Sequence, residues 1–107
     1  MNLLNFLNPL SVLGKSDKLI FSFTSLAITR NEMGIFWNDS FVNNKTIATI
    51  QYKEDGIYKI KSFIAPAGQQ GYYFNLSLPP NTKAVLRVFY KKYIYSVSIN
   101  GTSVYQK

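Results

Sequence analysis

The sequence predicts an all-β domain: a single small antiparallel β-sandwich, jelly-roll-like or Greek-key, of about seven to eight short strands. Three observations carry this. Apolar and polar side chains alternate with period two, as in Tyr95-Ser96-Val97-Ser98-Ile99, the pattern of a strand with one buried and one wet face. Turn-forming residues recur about every 8–12 positions. Eight Tyr and eight Phe stand in a chain of 107 residues, and aromatic side chains favour strands.

The chain divides into an apolar N-terminal arm or capping segment, 1–14, and a sandwich domain, 15–107. Leu3, Leu4, Phe6, Leu7 and Leu10 crowd the first segment, interrupted by Asn and Pro9. It has no basic leader region and is too short to span a bilayer. Exposed, it would be a liability, so it either caps its own core or docks on a neighbouring subunit or a membrane surface. Lys18 to Arg30 reads as a strand whose buried face switches at Thr24-Ser25, as a bulge or bend would produce. Asn31 to Gly34 reads as a turn, Ile35-Phe36-Trp37 as a dense strand, and Phe41-Val42 as a short one.

Two hairpins follow from turn chemistry. Thr46 to Ile64 places Ala48, Ile50 and Tyr52 on one face going in. Opposing them to Tyr58, Ile60 and Ile64 calls for a three-residue loop, Glu54-Asp55-Gly56, with Gly56 left-handed and Lys53, Lys59 and Lys61 outside. The stretch Gly56 to Phe63, GIYKIKSF, is similar to a strand entry in jelly-roll domains of the tumour-necrosis-factor and complement kind. The likeness spans those residues alone, and no residue role is carried over from it. Ala65 to Gly71 is long enough to cross between sheets. Tyr72, Phe74, Leu76 and Leu78 form the next inward face, ended by Pro79-Pro80. Ala84, Leu86, Val88 and Tyr90 follow. The inward parity then flips at Lys91-Lys92, which implies a break, and passes to Tyr93, Tyr95, Val97 and Ile99. Asn100-Gly101 suits a two-residue turn that sets Ile99 opposite Thr102 and Val97 opposite Val104.

Composition bounds the chemistry. The absence of Cys and His removes disulfides, thiolate metal sites, cysteine nucleophiles and the commonest general base. Of the five acids, Asp17, Glu32, Asp39, Glu54 and Asp55, only Glu32 with Asp39 could be weighed as a glycosidase pair. Both fall in expected turns, where acids are ordinary. No glycine-rich phosphate loop or cluster of calcium ligands is present. The expectation is a non-enzyme without cofactor or metal. Asn-x-Ser/Thr triplets at Asn38, Asn44, Asn75 and Asn100 would be acceptors only in a secretory pathway.

The net charge of +7 is compatible with nucleic acid, an anionic surface or an acidic partner, although the lysines are scattered. Three functional expectations remain. The first is a structural or assembly subunit of a larger particle, with a virion component (minor capsid, decoration or tail protein) as the leading setting. It would contact itself or other subunits through the arm residues and the sheet edges. The alternative is a carbohydrate-binding module using aromatic faces. The third is a single-stranded nucleic-acid binder. For the last two, Trp37, Tyr73, Arg87, Lys91, Lys92 and Tyr93 are the candidate ligand face.

Overall fold

The computed structural model describes residues 17–28 and 30–107, so the apolar arm at 1–14 lies outside the described residues. Eight strands form two antiparallel sheets: β1 (Lys18–Thr24), β2 (Arg30–Trp37), β3 (Thr46–Glu54), β4 (Ile57–Ile64), β5 (Gly71–Ser77), β6 (Lys83–Phe89), β7 (Ile94–Ile99) and β8 (Thr102–Gln106). The first sheet has the order β1-β6-β3-β4 and the second β5-β2-β7-β8. Among the described residues only β3–β4 and β7–β8 are hairpins; every other connection between these strands crosses from one sheet to the other. This is the small β-sandwich that the period-two pattern predicts.

The core is where the two inward faces meet. Ile50, Leu86 and Val88 of the first sheet and Met33, Ile35, Val97 and Ile99 of the second are buried in one cluster. Phe63 of β4 stacks on Phe74 of β5 with centroids 4.1 Å apart, a ring contact bridging the sheets. As the sequence predicts, Leu19, Phe21 and Phe23 of β1 pack against this core. The break expected at Lys91-Lys92 is a single 3-10 turn, Lys91–Tyr93, carrying the chain from β6 to β7. It is entered through Tyr90 at φ 58.

Several local expectations are corrected. The bulge or bend predicted at Thr24-Ser25 is the end of β1, with a bend following at residues 27–28. Ser25 is buried there, its Oγ donating to Pro79 O at 2.6 Å and accepting from Thr82 N at 2.8 Å. Leu26 and Ile28, beyond it, are exposed. Asn31 to Gly34 is not a turn but part of β2. Asn31 is buried with its Oδ1 accepting from Leu26 N and Asn100 Nδ2, so a polar side chain marks a buried network rather than a loop. Phe41-Val42 belongs to a 3-10 turn, Ser40–Val42, capped by Asp39, whose Oδ1 accepts from Phe41 N at 2.8 Å.

The first hairpin closes on a two-residue Asp55-Gly56 turn, with φ of 55 and 77, not on a three-residue loop. Tyr52 opposes Lys59, Gln51 opposes Ile60 and Ile50 opposes Lys61. Two adjacent residues with positive φ twist as the flanking strands do, and that preference outweighs the apolar parity of β4. The Asn100-Gly101 hairpin pairs Ile99 with Thr102 as expected, but Val97 opposes Tyr105 rather than Val104. Val104 is the extra residue of a bulge, and Tyr105 packs on the core instead. A second irregularity in the β2–β7 pairing sets Trp37 against Ile94 and Phe36 against Ser96. It turns Ile94 inward and leaves Tyr95 exposed.

Candidate functional site

The residues singled out from the sequence fall in four different places. Trp37 is 2% exposed, inside the core, so it cannot present a face to a ligand. Tyr73 lies outward on β5. A Cβ on Gly34 of the neighbouring strand would sit 2.5 Å from its Cε1, so the ring lies across the glycine. Phe36 meets Tyr73 edge-on at 5.2 Å. Arg87 is on the outer face of the first sheet, remote in the fold from Tyr73.

Lys91, Lys92 and Tyr93 do come together. They line a cleft of about 570 Å³ at one end of the sandwich, with Phe41, Phe89 and Tyr90. Phe41 is the hub: its centroid is 5.1 Å from Tyr93 and 5.8 Å from Tyr90. Lys45 Nζ stands 4.7 Å over the Phe41 ring and Lys92 Nζ 5.3 Å over Tyr93. The cations and rings therefore satisfy one another within the cluster. The backbone ties the cleft shut on one side, Lys91 N donating to Asp17 O at 3.0 Å.

The sequence places Lys53, Lys59 and Lys61 on the outer face of this hairpin; the observed β3–β4 register keeps Lys53 there and puts apolar residues of β4 in place of the other two. The two-residue turn rotates β4, so that Tyr58, Ile60 and Ile64 point to solvent and are 59–66% exposed. Ile57, at the turn, is 63% exposed. Lys59 and Lys61 take the inward parity instead. Lys59 Nζ pairs with Glu54 Oε1 at 2.9 Å. That hydrogen bond, and then the carboxylate charge, hold Lys59 above the ordinary lysine range. Lys61 Nζ reaches the sandwich rim, donating to Ser77 O at 3.3 Å and lying 5.9 Å over the Tyr52 ring. Lys59 is exposed and Lys61 half-buried, so both keep their charge wet.

Beside this stripe, over β1, β6 and β3, lies a shallow groove of about 570 Å³. Lys53, Lys83 and Arg87 line it with Gln51, Thr24 and Tyr58. Arg87 Nη1 donates to Gln51 Oε1 at 3.0 Å, and Lys53 Nζ lies 5.1 Å from the Tyr58 ring centroid.

The carboxylates do not converge. Glu32 is on β2 of the second sheet and Asp39 caps its 3-10 turn. Among the described residues, no helix is long and apolar enough to cross a membrane. No family model, curated protein or solved structure matches the chain.

Proposed function

We propose that this protein is a non-enzymatic assembly subunit that contacts neighbouring subunits through the outward face of β4, aided by its N-terminal arm. A component of a large particle such as a virion is the setting this reading favours. One observation carries it: Ile60 and Ile64 are both about three-fifths exposed on the outward face of β4, in line with the exposed Tyr58. A monomer has no use for such a stripe, and contiguous apolar patches mark interaction surfaces. Burying each isoleucine would contribute roughly 1–2 kcal/mol, scaling the value for full burial by its exposure.

The contact is face-on rather than edge-on. β4 is an edge strand, and a partner strand added there would extend the sheet over Lys59 and Lys61. Inward-pointing charges of this kind blunt an edge. The arm residues Leu3, Leu4, Phe6, Leu7 and Leu10 supply a second apolar surface in this reading. A carbohydrate-binding role has less support, since Trp37, its strongest stacking candidate, is in the core.

The test is the solution mass by light scattering, at two salt concentrations. The comparison is the full chain, Ile60→Lys/Ile64→Lys and a chain lacking Met1 to Leu13. The full chain is expected to exceed the monomer mass, with the double variant monomeric and equally stable to heat. A full chain that is monomeric throughout, or a double variant that assembles normally, rejects the reading. Loss of assembly in the truncated chain assigns the arm to the contact; normal assembly removes it.

A further inference from the structure

We propose that the groove on the outer face of the first sheet binds single-stranded nucleic acid. The face is cationic and free of acid. Along β1, β6, β3 and β4, the outward positions include Lys18, Lys53, Lys83 and Arg87 but no Asp or Glu. The acids lie elsewhere: Asp17 precedes β1, Glu32 and Asp39 lie outside this sheet, Glu54 has inward parity, and Asp55 is in the turn. Among the described residues the one ion pair is Lys59–Glu54, so none of the groove cations is neutralised by a carboxylate.

The spacing is that of a site for several anions. Tyr52 pairs with Ala84, so the next residues outward, Lys53 and Lys83, are cross-strand neighbours on one face. Like charges directly opposite in a sheet repel, and an anion between them converts that repulsion into attraction. Arg87 lies four residues along β6 from Lys83, about 13 Å at the rise of a strand. Gln51 holds its guanidinium at 3.0 Å, which orders the fork that phosphate oxygens accept from. A compact anion cannot reach both ends; a chain of phosphates can.

Tyr58 selects among polyanions. The residue is 66% exposed, its ring beside Lys53 at the mouth of the groove. A planar ring offered next to cations suits a base stacked beside its phosphate, and such stacking is tolerant of sequence. The puckered, heavily charged ring of a sulfated or uronate polysaccharide covers a tyrosine face less fully than a planar base does, so it would rely on the cations more than on the ring.

The experiment is fluorescence anisotropy of a labelled oligo(dT) 20-mer with the full chain at 50 and 200 mM salt. Binding is expected to weaken steeply with salt. Lys83→Ala/Arg87→Ala should weaken it at least tenfold and lower the log–log salt slope by about 1.4, at about 0.7 per single-strand phosphate. Lys45→Ala/Lys107→Ala removes the same charge away from this face and should change binding less than twofold. Tyr58→Ala should weaken binding about fivefold or more with the slope unchanged.

Equal losses in the two double-alanine chains would reduce the effect to net charge and overturn the proposal. So would no binding at 50 mM salt. Heparin competing equally well, with Tyr58→Ala without effect, would assign the face to sulfated polysaccharide instead. The groove does not depend on the β4 contact: Lys83→Ala/Arg87→Ala should leave the solution mass unchanged, and Ile60→Lys/Ile64→Lys should leave the salt slope of oligonucleotide binding no lower.

Discussion

At the scale of single residues, Gly34 is the position with the least room. It sits mid-strand, where glycine ordinarily weakens a sheet. A Cβ there would meet Tyr73 Cε1 at 2.5 Å and Ser98 Oγ at 2.7 Å. Gly34→Ala is expected to destabilise the fold by about 1–3 kcal/mol through overpacking. In a Tyr73→Ala background the loss should shrink, because only the Ser98 clash remains; urea melts of the single and double variants check this. Ser25 is the second sensitive point. Its hydroxyl joins the end of β1 to Pro79 and Thr82, and Ser25→Ala leaves both partners short of a bond in a buried place. A loss of about 1–3 kcal/mol in the same assay is expected. Trp37 is the natural reporter for these melts. Its burial predicts blue-shifted emission in the native state that added glycan leaves unmoved.

At the scale of elements, the two hairpins show what the sequence made legible. Asn100-Gly101 and Asp55-Gly56 are both short turns with left-handed φ at each residue, and the dipeptides announce them. Gly56→Ala and Gly101→Ala, at φ of 77 and 81, should each cost about 1 kcal/mol in urea unfolding. The second hairpin was placed correctly up to its bulge, where Val104 yields the inward place to Tyr105. The first was misplaced by one register, and the reason is physical. Parity reasoning assumes that apolar side chains face the core, whereas Ile60 and Ile64 face water and Lys59 and Lys61 point in. Asn31 misled in the opposite direction, since a buried hydrogen-bonding asparagine and a loop asparagine read alike. The inward faces of β3, β5 and β6 were legible because nothing but the core explains their alternation. Of the candidate site, Arg87 was legible as a surface cation. Its groove was not, because Lys53 and Lys83 become neighbours only through the pairing of β3 with β6.

At the scale of the whole molecule, the order of strands governs folding. β1 waits for β6, and β2 for β5 and β7, so most of the pairing joins distant parts of the chain. Loop closure must precede the contacts that reward it. Stopped-flow refolding followed by Trp37 emission is therefore expected in the millisecond-to-second range, not in microseconds. Truncating β8 should disturb this little, since it is an edge strand whose one partner is its hairpin neighbour β7.

The two lysines at the rim of β4 have a geometric consequence. Hydrogen-bonded strands lock neighbours at about 4.8 Å and at a set twist, so subunits joined that way repeat one angle and grow as a stiff ribbon. Isoleucine against isoleucine imposes no such lattice, because hydrophobic attraction has no preferred direction. In the assembly proposed above, copies meeting through Ile60 and Ile64 would be free to tilt against one another at little cost. A surface built from them could follow changing curvature with a single kind of joint.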